Sequence, residues 1–229
     1  EQQILERRSS AINPLLEVAV VNGRKILNGA NVNYSYGSLQ RVFEQAFVEL
    51  DLRARGIRSA LLLGGGGGSV VRLLADDYAP GASITAVEID PVVLDLARTH
   101  FELDQVPGTM LVEADAAEYV AEKREPGFDL VIVDVFVDDE IPPACQTPVF
   151  VRRCARLLAP GGMMVYNRLY HTHERRAESD AFTQVFRSTL GVARALEVRT
   201  NLVLIHERLA ERNAESDPSA TSGASGAAG

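Results

Sequence analysis

Apolar and polar positions fall into blocks whose period changes along the chain. The clearest block runs from Arg58 to Asp90. Ser59-Ala60-Leu61-Leu62-Leu63 is an apolar run of strand length, Gly64 to Gly68 form a loop of five glycines, and Ser69-Val70-Val71-Arg72-Leu73-Leu74 resumes with amphipathic spacing. That order predicts strand, tight turn and helix without a gap. A second apolar run, Ile84-Thr85-Ala86-Val87, ends in Glu88, which stands 20 residues after Gly68. The block is therefore a βαβ unit whose first turn brings bare backbone toward a ligand, with an acid placed to accept from ribose hydroxyls. A flexible linker is the alternative reading of the glycines, but linkers are not set between a strand and a helix.

The rest of the chain continues the alternation. Leu16 to Val21 and Arg24 to Leu27 flank Asn22-Gly23, a hairpin signal. The polar stretch Glu1–Ser10 reads as a frayed helix, and Asn28 to Tyr36 as a connection. Leu39, Val42, Phe43, Ala46, Phe47 and Leu50 share one helical face, closed by Gly56. Pro91 opens another helix. Met110-Leu111-Val112 and Phe128 to Asp134 read as strands, with a helix from Ala116 to about Lys123 between them. Val135 to Pro148 reads as a loop and Phe150 to Leu158 as a helix stopped by Pro160-Gly161-Gly162. Met163 to Tyr166 is a strand, Arg175 to Leu190 a helix, and Val192–Val198 with Leu202–His206 a closing strand pair around Thr200-Asn201.

Strands alternating with helices predict an α/β fold with a doubly wound, mostly parallel sheet. The expected organisation is an N-terminal segment with a β-hairpin over 1–36, a Rossmann-like domain over 37–210, and a disordered Ser-, Ala- and Gly-rich tail over 211–229.

Composition narrows the partners. The net charge of −8 and pI near 5.1 argue against a nucleic-acid backbone as partner and are compatible with a cationic acceptor. No apolar run approaches membrane-spanning length, so no membrane partner is expected. No signal-peptide pattern is visible, and Cys145 with Cys154, in one helical region, suggests no disulfide framework; a cytoplasmic location is expected. His171 and His173 lack a third ligand nearby, so no metal is expected.

In a doubly wound sheet the ligand sits at the carboxyl ends of the strands, and three of these ends carry an acid: Glu88, Asp115 and Asp134. Glu88 can accept from both ribose hydroxyls, Asp115 from an adenine amino group, and Asp134 can face a reacting centre. Asp115 also precedes a helix directly, so N-capping is its competing role. The strict G-x-G-x-x-G fails here, while G-x-G-x-G fits at Gly64, Gly66 and Gly68.

Leu62 to Gly68, Val87-Glu88-Ile89-Asp90, Ala114-Asp115-Ala116 and Asp129 to Asp134 together resemble the successive motifs of the spermidine synthase family, over about Leu16 to Asn167. The resemblance implies a fold of the S-adenosylmethionine (SAM) methyltransferase type preceded by a small β-hairpin domain. It implies SAM or decarboxylated SAM as cofactor, held by Gly64, Gly65, Gly66, Gly68, Glu88, Ile89, Asp115, Ala116 and Asp134. It also implies Asp134 near the attacking nucleophile. Tyr36 is a further candidate at the reacting centre, Asn167, Asp138 and Asp139 are candidates on the acceptor side, and a homodimer is a possible assembly.

The departures point away from polyamine synthesis. Gly67 stands where that family carries an acid in the glycine loop, Gly37-Ser38 follow Tyr36 in place of His-Glu, and Val135-Phe136-Val137-Asp138-Asp139 follow Asp134 in place of Ser-Ser-Asp-Pro. An aminopropyl donor keeps a cationic amine that needs an acid partner, whereas the loop's backbone N–H groups are expected to favour a carboxylate. The expectation is a methyltransferase acting on an amine or another small-molecule or peptide nucleophile. The alternatives are a polyamine aminopropyltransferase and a non-catalytic nucleotide-binding or interaction module.

Overall fold

The computed structural model describes residues 2–30, 33–35 and 37–210. Tyr36 and the tail beyond Ala210 lie outside the described residues. The chain runs β1 (Gln2–Arg8), β2 (Leu16–Val21), β3 (Arg24–Asn28), β4 (Asn33–Ser35) and α1 (Ser38–Glu49) into the central unit. That unit comprises β5 (Ser59–Leu63), α2 (Ser69–Leu73, extended by a π turn over Leu74–Tyr78), β6 (Ser83–Glu88), α3 (Pro91–Phe101) and β7 (Thr109–Glu113). Then follow α4 (Ala116–Glu122), β8 (Phe128–Val133), α5 (Pro148–Arg156), β9 (Leu158–Leu169), α6 (His173–Leu190), β10 (Arg194–Val198) and β11 (Asn201–Glu207).

Seven strands form one sheet in the order β10-β11-β9-β8-β5-β6-β7. The five from β7 to β9 are parallel, and β11 lies antiparallel to β9. From β5 the chain winds outward to β7, then returns to place β8 on the other side of β5. The strand order therefore reverses at the β5–β8 pair, where a crevice opens beyond the strand ends. Alternation within β5 feeds both layers: Ala60 and Leu62 face the core under α1 and α2, while Leu61 and Leu63 face the core under α4, α5 and α6.

The N-terminal part is a four-stranded antiparallel sheet, β1-β2-β3-β4, larger than the hairpin expected. The Asn22-Gly23 turn is as predicted, with both residues at positive φ (51° and 77°), the requirement of a type I′ hairpin. The segment read as a frayed helix is instead β1. It is an exposed edge strand paired to β2, and its mixed pattern carries no strand period because neither face is buried. Leu16, Val18 and Leu27 of this sheet pack against Val93, Leu96 and Phe101 of α3. Buried Asp90 reinforces the joint: it caps α3 through Val92 N–H at 2.9 Å and accepts from Asn13 Nδ2 at 2.6 Å.

Two further expectations are corrected. Pro160-Gly161-Gly162 falls inside β9 rather than ending a helix, because α5 has already closed at Arg156. Cys145 sits in a 3₁₀ turn (Pro143–Gln146) and Cys154 in α5, so they are on separate elements, both free and buried.

Candidate active-site cleft

The glycine loop leads from β5 into α2 and is held against the end of β6. Gly64 and Gly65 both donate to Val87 O, at 2.9 and 3.0 Å, and Gly68 donates to Gly65 O at 3.1 Å. Gly64, Gly66 and Gly68 have φ of 91°, 49° and 87°, so the three positions of the G-x-G-x-G pattern are the three left-handed ones. At Gly64 the space is also closed, because a Cβ there would stand 2.1 Å from the carbonyl oxygen of Asp134. This glycine lets the end of β5 lie against the end of β8. A Cβ at Gly68 would meet Leu103 at 2.4 Å.

Gly66 N–H donates to Glu88 Oε2 at 2.9 Å, and Asp90 N–H donates to Glu88 Oε1 at 3.1 Å. Glu88 is thus fixed across the mouth of β5 and β6, and each oxygen keeps a lone pair for another donor. Burial pushes its carboxyl above the usual range, partly offset by those two N–H groups. The N–H groups of Gly64, Gly65, Gly66 and Gly68 all donate within the protein, so they do not form the free cradle for a ligand carboxylate expected from the sequence.

Asp115 does cap α4: its Oδ1 accepts from Ala117 N–H at 2.7 Å and Glu118 N–H at 3.0 Å. The cap uses one oxygen, and Asp115 still lines the cleft. Asp134 is buried at the end of β8, and its Oδ1 accepts from Asn167 Nδ2 at 2.8 Å. Burial raises its carboxyl to about 7, with the Asn167 bond pulling it down and the charge of Glu88 pushing it up. Cys145 lines the same cleft, and burial together with Asp115 pushes its thiol up to about 12, so it stays neutral.

One predominantly apolar cleft gathers Gly64, Gly66, Glu88, Ile89, Asp115, Ala116, Asp134, Asp138 and Asn167 from the sequence-predicted set. Gly65 and Gly68 shape the turn without lining the cleft. Asp139 is not brought in: it pairs with Arg175 of α6 at 2.8 Å and faces a neighbouring cavity. Tyr36, the other residue expected at the reacting centre, lies outside the described residues. The cleft adds residues that sequence reasoning missed, chiefly Leu39, Phe136, Thr200 and Asn201, and among the described residues its lining contains no Lys, Arg or His. Among the described residues no cluster of three or more His, Cys, Asp or Glu side chains is arranged to hold a metal ion.

Residues 60–162 match the family model described as a methyltransferase domain. A search of solved structures aligns 89% of this chain with 79% of a probable spermidine synthase from Corynebacterium glutamicum, at a TM-score of 0.70 and 23% identity. This chain has a spermidine synthase-like methyltransferase fold. In sequence it is 40% identical over 108 residues to a polyamine aminopropyltransferase of Chromobacterium violaceum, covering 47% of this chain and 41% of that protein. It is 31% identical over 119 residues to the human eEF1A lysine and N-terminal methyltransferase, covering 47% of this chain and 17% of that one. The matched stretch thus spans about two-fifths of the length of the aminopropyltransferase and less of the methyltransferase.

Proposed function

We propose that this chain is a SAM-dependent transferase that moves a methyl group to an amine nucleophile. The observation that carries the reading is Asp134, buried at the strand-order reversal, held by Asn167 and facing the cleft that Glu88 enters from β6. The residues fit an adenosyl group: Glu88 keeps lone pairs for two ribose hydroxyls, Asp115 keeps Oδ2 for an adenine amino group, and Gly64 lets the end of β5 lie against Asp134 at the cleft. When bound, the sulfonium supplies a carbon already attached to a good leaving group.

The protein's own contribution is alignment and proton handling. With Oδ1 occupied by Asn167, Asp134 Oδ2 is the atom that accepts an amine proton, and a carboxyl near 7 is suited to releasing it again. Leu39, Val135 and Phe136 give the cleft apolar walls. An anionic acceptor is disfavoured by the lining acids Glu88, Asp115, Asp134 and Asp138, with no lining cation among the described residues. The preference for methyl over aminopropyl transfer rests on Gly67, which offers no acid to the ammonium of a decarboxylated donor.

Aminopropyl transfer is the second reading. Asp138 in the cleft and the 40%-identical stretch shared with a polyamine aminopropyltransferase support it. The deciding experiment incubates the protein with SAM or decarboxylated SAM and with putrescine, spermidine or a lysine peptide, followed by mass spectrometry. Methylated product from SAM is expected, and efficient aminopropylated product would replace this reading with the second. Absence of product and of donor binding by calorimetry would instead support the non-catalytic module.

A further inference from the structure

Four side chains form one hydrogen-bonded file across three adjacent strands. Thr200 Oγ1 donates to Asn201 Oδ1 at 3.0 Å, Asn201 Nδ2 to Asn167 Oδ1 at 2.9 Å, and Asn167 Nδ2 to Asp134 Oδ1 at 2.8 Å. Asn167 and Asn201 are 1% and 3% exposed, so the bond between them and the bond to Asp134 are shielded from competing water, while Thr200 at the turn is exposed. The backbone sets the file up. Asn201 of β11 is opposite Leu169 of β9, which makes Asn167 its diagonal neighbour on the same face, and Tyr170 N–H to Thr200 O at 2.7 Å holds the turn against β9.

The direction of the file follows from chemistry. An ionised carboxylate only accepts, so Asn167 must turn its NH₂ toward Asp134 and its oxygen toward position 201. Asn201 must then donate, and its own oxygen receives the Thr200 hydroxyl. A protonated Asp134 can donate instead, and the whole file then reverses, ending with Asn201 donating to Thr200. The charged or titratable groups around Asp134 are Glu88 from β6, Asp115 beyond β7, Asp138 in the loop after β8 and the Cys145 thiol. Burial and the charge of Glu88 disfavour a further negative charge, and the Asn167 amide is the side-chain donor opposing them.

We infer that Asn201 is a positioning residue for Asp134: by donating to Asn167 Oδ1 it holds the Asn167 amide in the one orientation that stabilises Asp134 as a carboxylate. The inference rests on the reading of Asp134 as the group that takes the acceptor's proton, and it assigns to the β10–β11 turn a part in setting when that group is ready. It follows that aspartate is not equivalent to asparagine at position 201. A carboxylate there would demand the NH₂ of Asn167 and leave the Asn167 oxygen facing Asp134, which would then have to keep a proton.

The test reads Asp134 directly, without donor or acceptor. The carboxyl carbon of Asp134 is titrated by NMR in protein labelled at aspartate, its resonance assigned by its loss in Asp134→Asn. The Asp134 midpoint should rise by about one pH unit or more in Asn201→Asp, a tenfold gain in proton affinity, and by less in Asn201→Ala. The acid limb of the transfer-rate profile should move with it, so that activity lost at neutral pH returns at higher pH. A merely structural role would lower activity at every pH and leave the limb in place. An unmoved Asp134 midpoint in the folded variants overturns the inference. Asn201→Ala, which removes the donor to Asn167 Oδ1 without adding a charge, supplies the same readout if Asn201→Asp does not fold. Because the NMR titration needs no turnover, failure of this inference is distinguishable from failure of the transferase reading.

Discussion

The two ends of β8 each carry an aspartate, five positions apart, and the two are treated in opposite ways. Asp129, at the amino end, accepts through one oxygen from the backbone N–H groups of Arg58 at 2.8 Å and Ser59 at 3.0 Å, closing the entry to β5. Asp134, just beyond the carboxyl end, is buried beside other acids and accepts from a single side-chain amide. The first carboxylate is satisfied by fixed backbone and serves the fold. The second is held at a proton affinity that burial raises, which costs stability when it ionises and makes it available for chemistry. The same residue type on the same strand is structural or reactive according to the donors around it.

The comparison breaks most sharply at Asp134. Asp134→Asn should reduce transfer by about 10²–10⁴-fold, the range for a lost general base. It should also stabilise the fold in alkaline solution. The folded carboxyl sits near 7, above its unfolded value of 3.8, so its favourable contribution is complete below the unfolded value and is lost as pH rises through about 7. At pH 8 the variant should therefore exceed the parent by roughly 2–4 kcal/mol, and the gap should close toward pH 4. Denaturant melts at the two pH values check this. A variant that is less stable at pH 8 would place Asp134 with Asp129.

Gly64→Ala should disturb Asp134 through the backbone. The new Cβ collides with the Asp134 carbonyl, and φ of 91° is itself strained for alanine. A loss of about 2–5 kcal/mol is expected. Gly65→Ala is the control: its Cβ would meet Glu88 Cβ at an ordinary 3.5 Å, and a change within about 1 kcal/mol is expected. Equal thermal melts for the two alanine variants would remove the closed contact between β5 and β8 from the account.

Asp129→Ala sharpens the other side. It leaves the N–H groups of Arg58 and Ser59 without their acceptor, near the surface where water can replace part of it, so about 1–2 kcal/mol of stability should be lost. Donor affinity, read by calorimetry on the folded variant, should not change. A loss of affinity would mean the two ends of β8 are coupled.

The difference between these ends was only partly legible in the sequence. Apolar runs closed by glycine or by an acid place β5, β6 and β8 and their carboxyl ends, because a buried parallel strand needs an unbroken apolar stretch and its mouth does not. Positive φ at Gly64, Gly66 and Gly68 follows the spacing already visible there. What the chain order hides is contact across distance. Asn201 reads as a turn residue until β11 is laid beside β9, and only then does it meet Asn167, 34 residues earlier. Asp139 reads as a neighbour of Asp138 until Arg175 of α6 draws it into another cavity. The edge strand β1 shows no pattern because burial, the source of the pattern, is missing there.

Asp115 stands between the two aspartates of β8 and gives the smallest and most discriminating effect. One oxygen serves the fold by capping α4, as Asp129 serves β5, while the other is the proposed acceptor for an adenine amino group. Serine caps a helix about as well as aspartate but has a single oxygen, so Asp115→Ser separates the two duties. Stability should stay within about 0.5 kcal/mol of the parent, since the cap is kept. Donor binding should weaken by about 1 kcal/mol, roughly fivefold, the size of one hydrogen bond. Asp115→Ala should lose both, with about 1 kcal/mol of stability gone as well. Calorimetry with SAM alongside a thermal melt reads the two duties independently. If Asp115→Ser binds the donor as the parent does, the second oxygen is idle and Asp115 joins Asp129 as a residue of the fold alone; the adenine end would then be held by the apolar walls at Ile89 and Ala116.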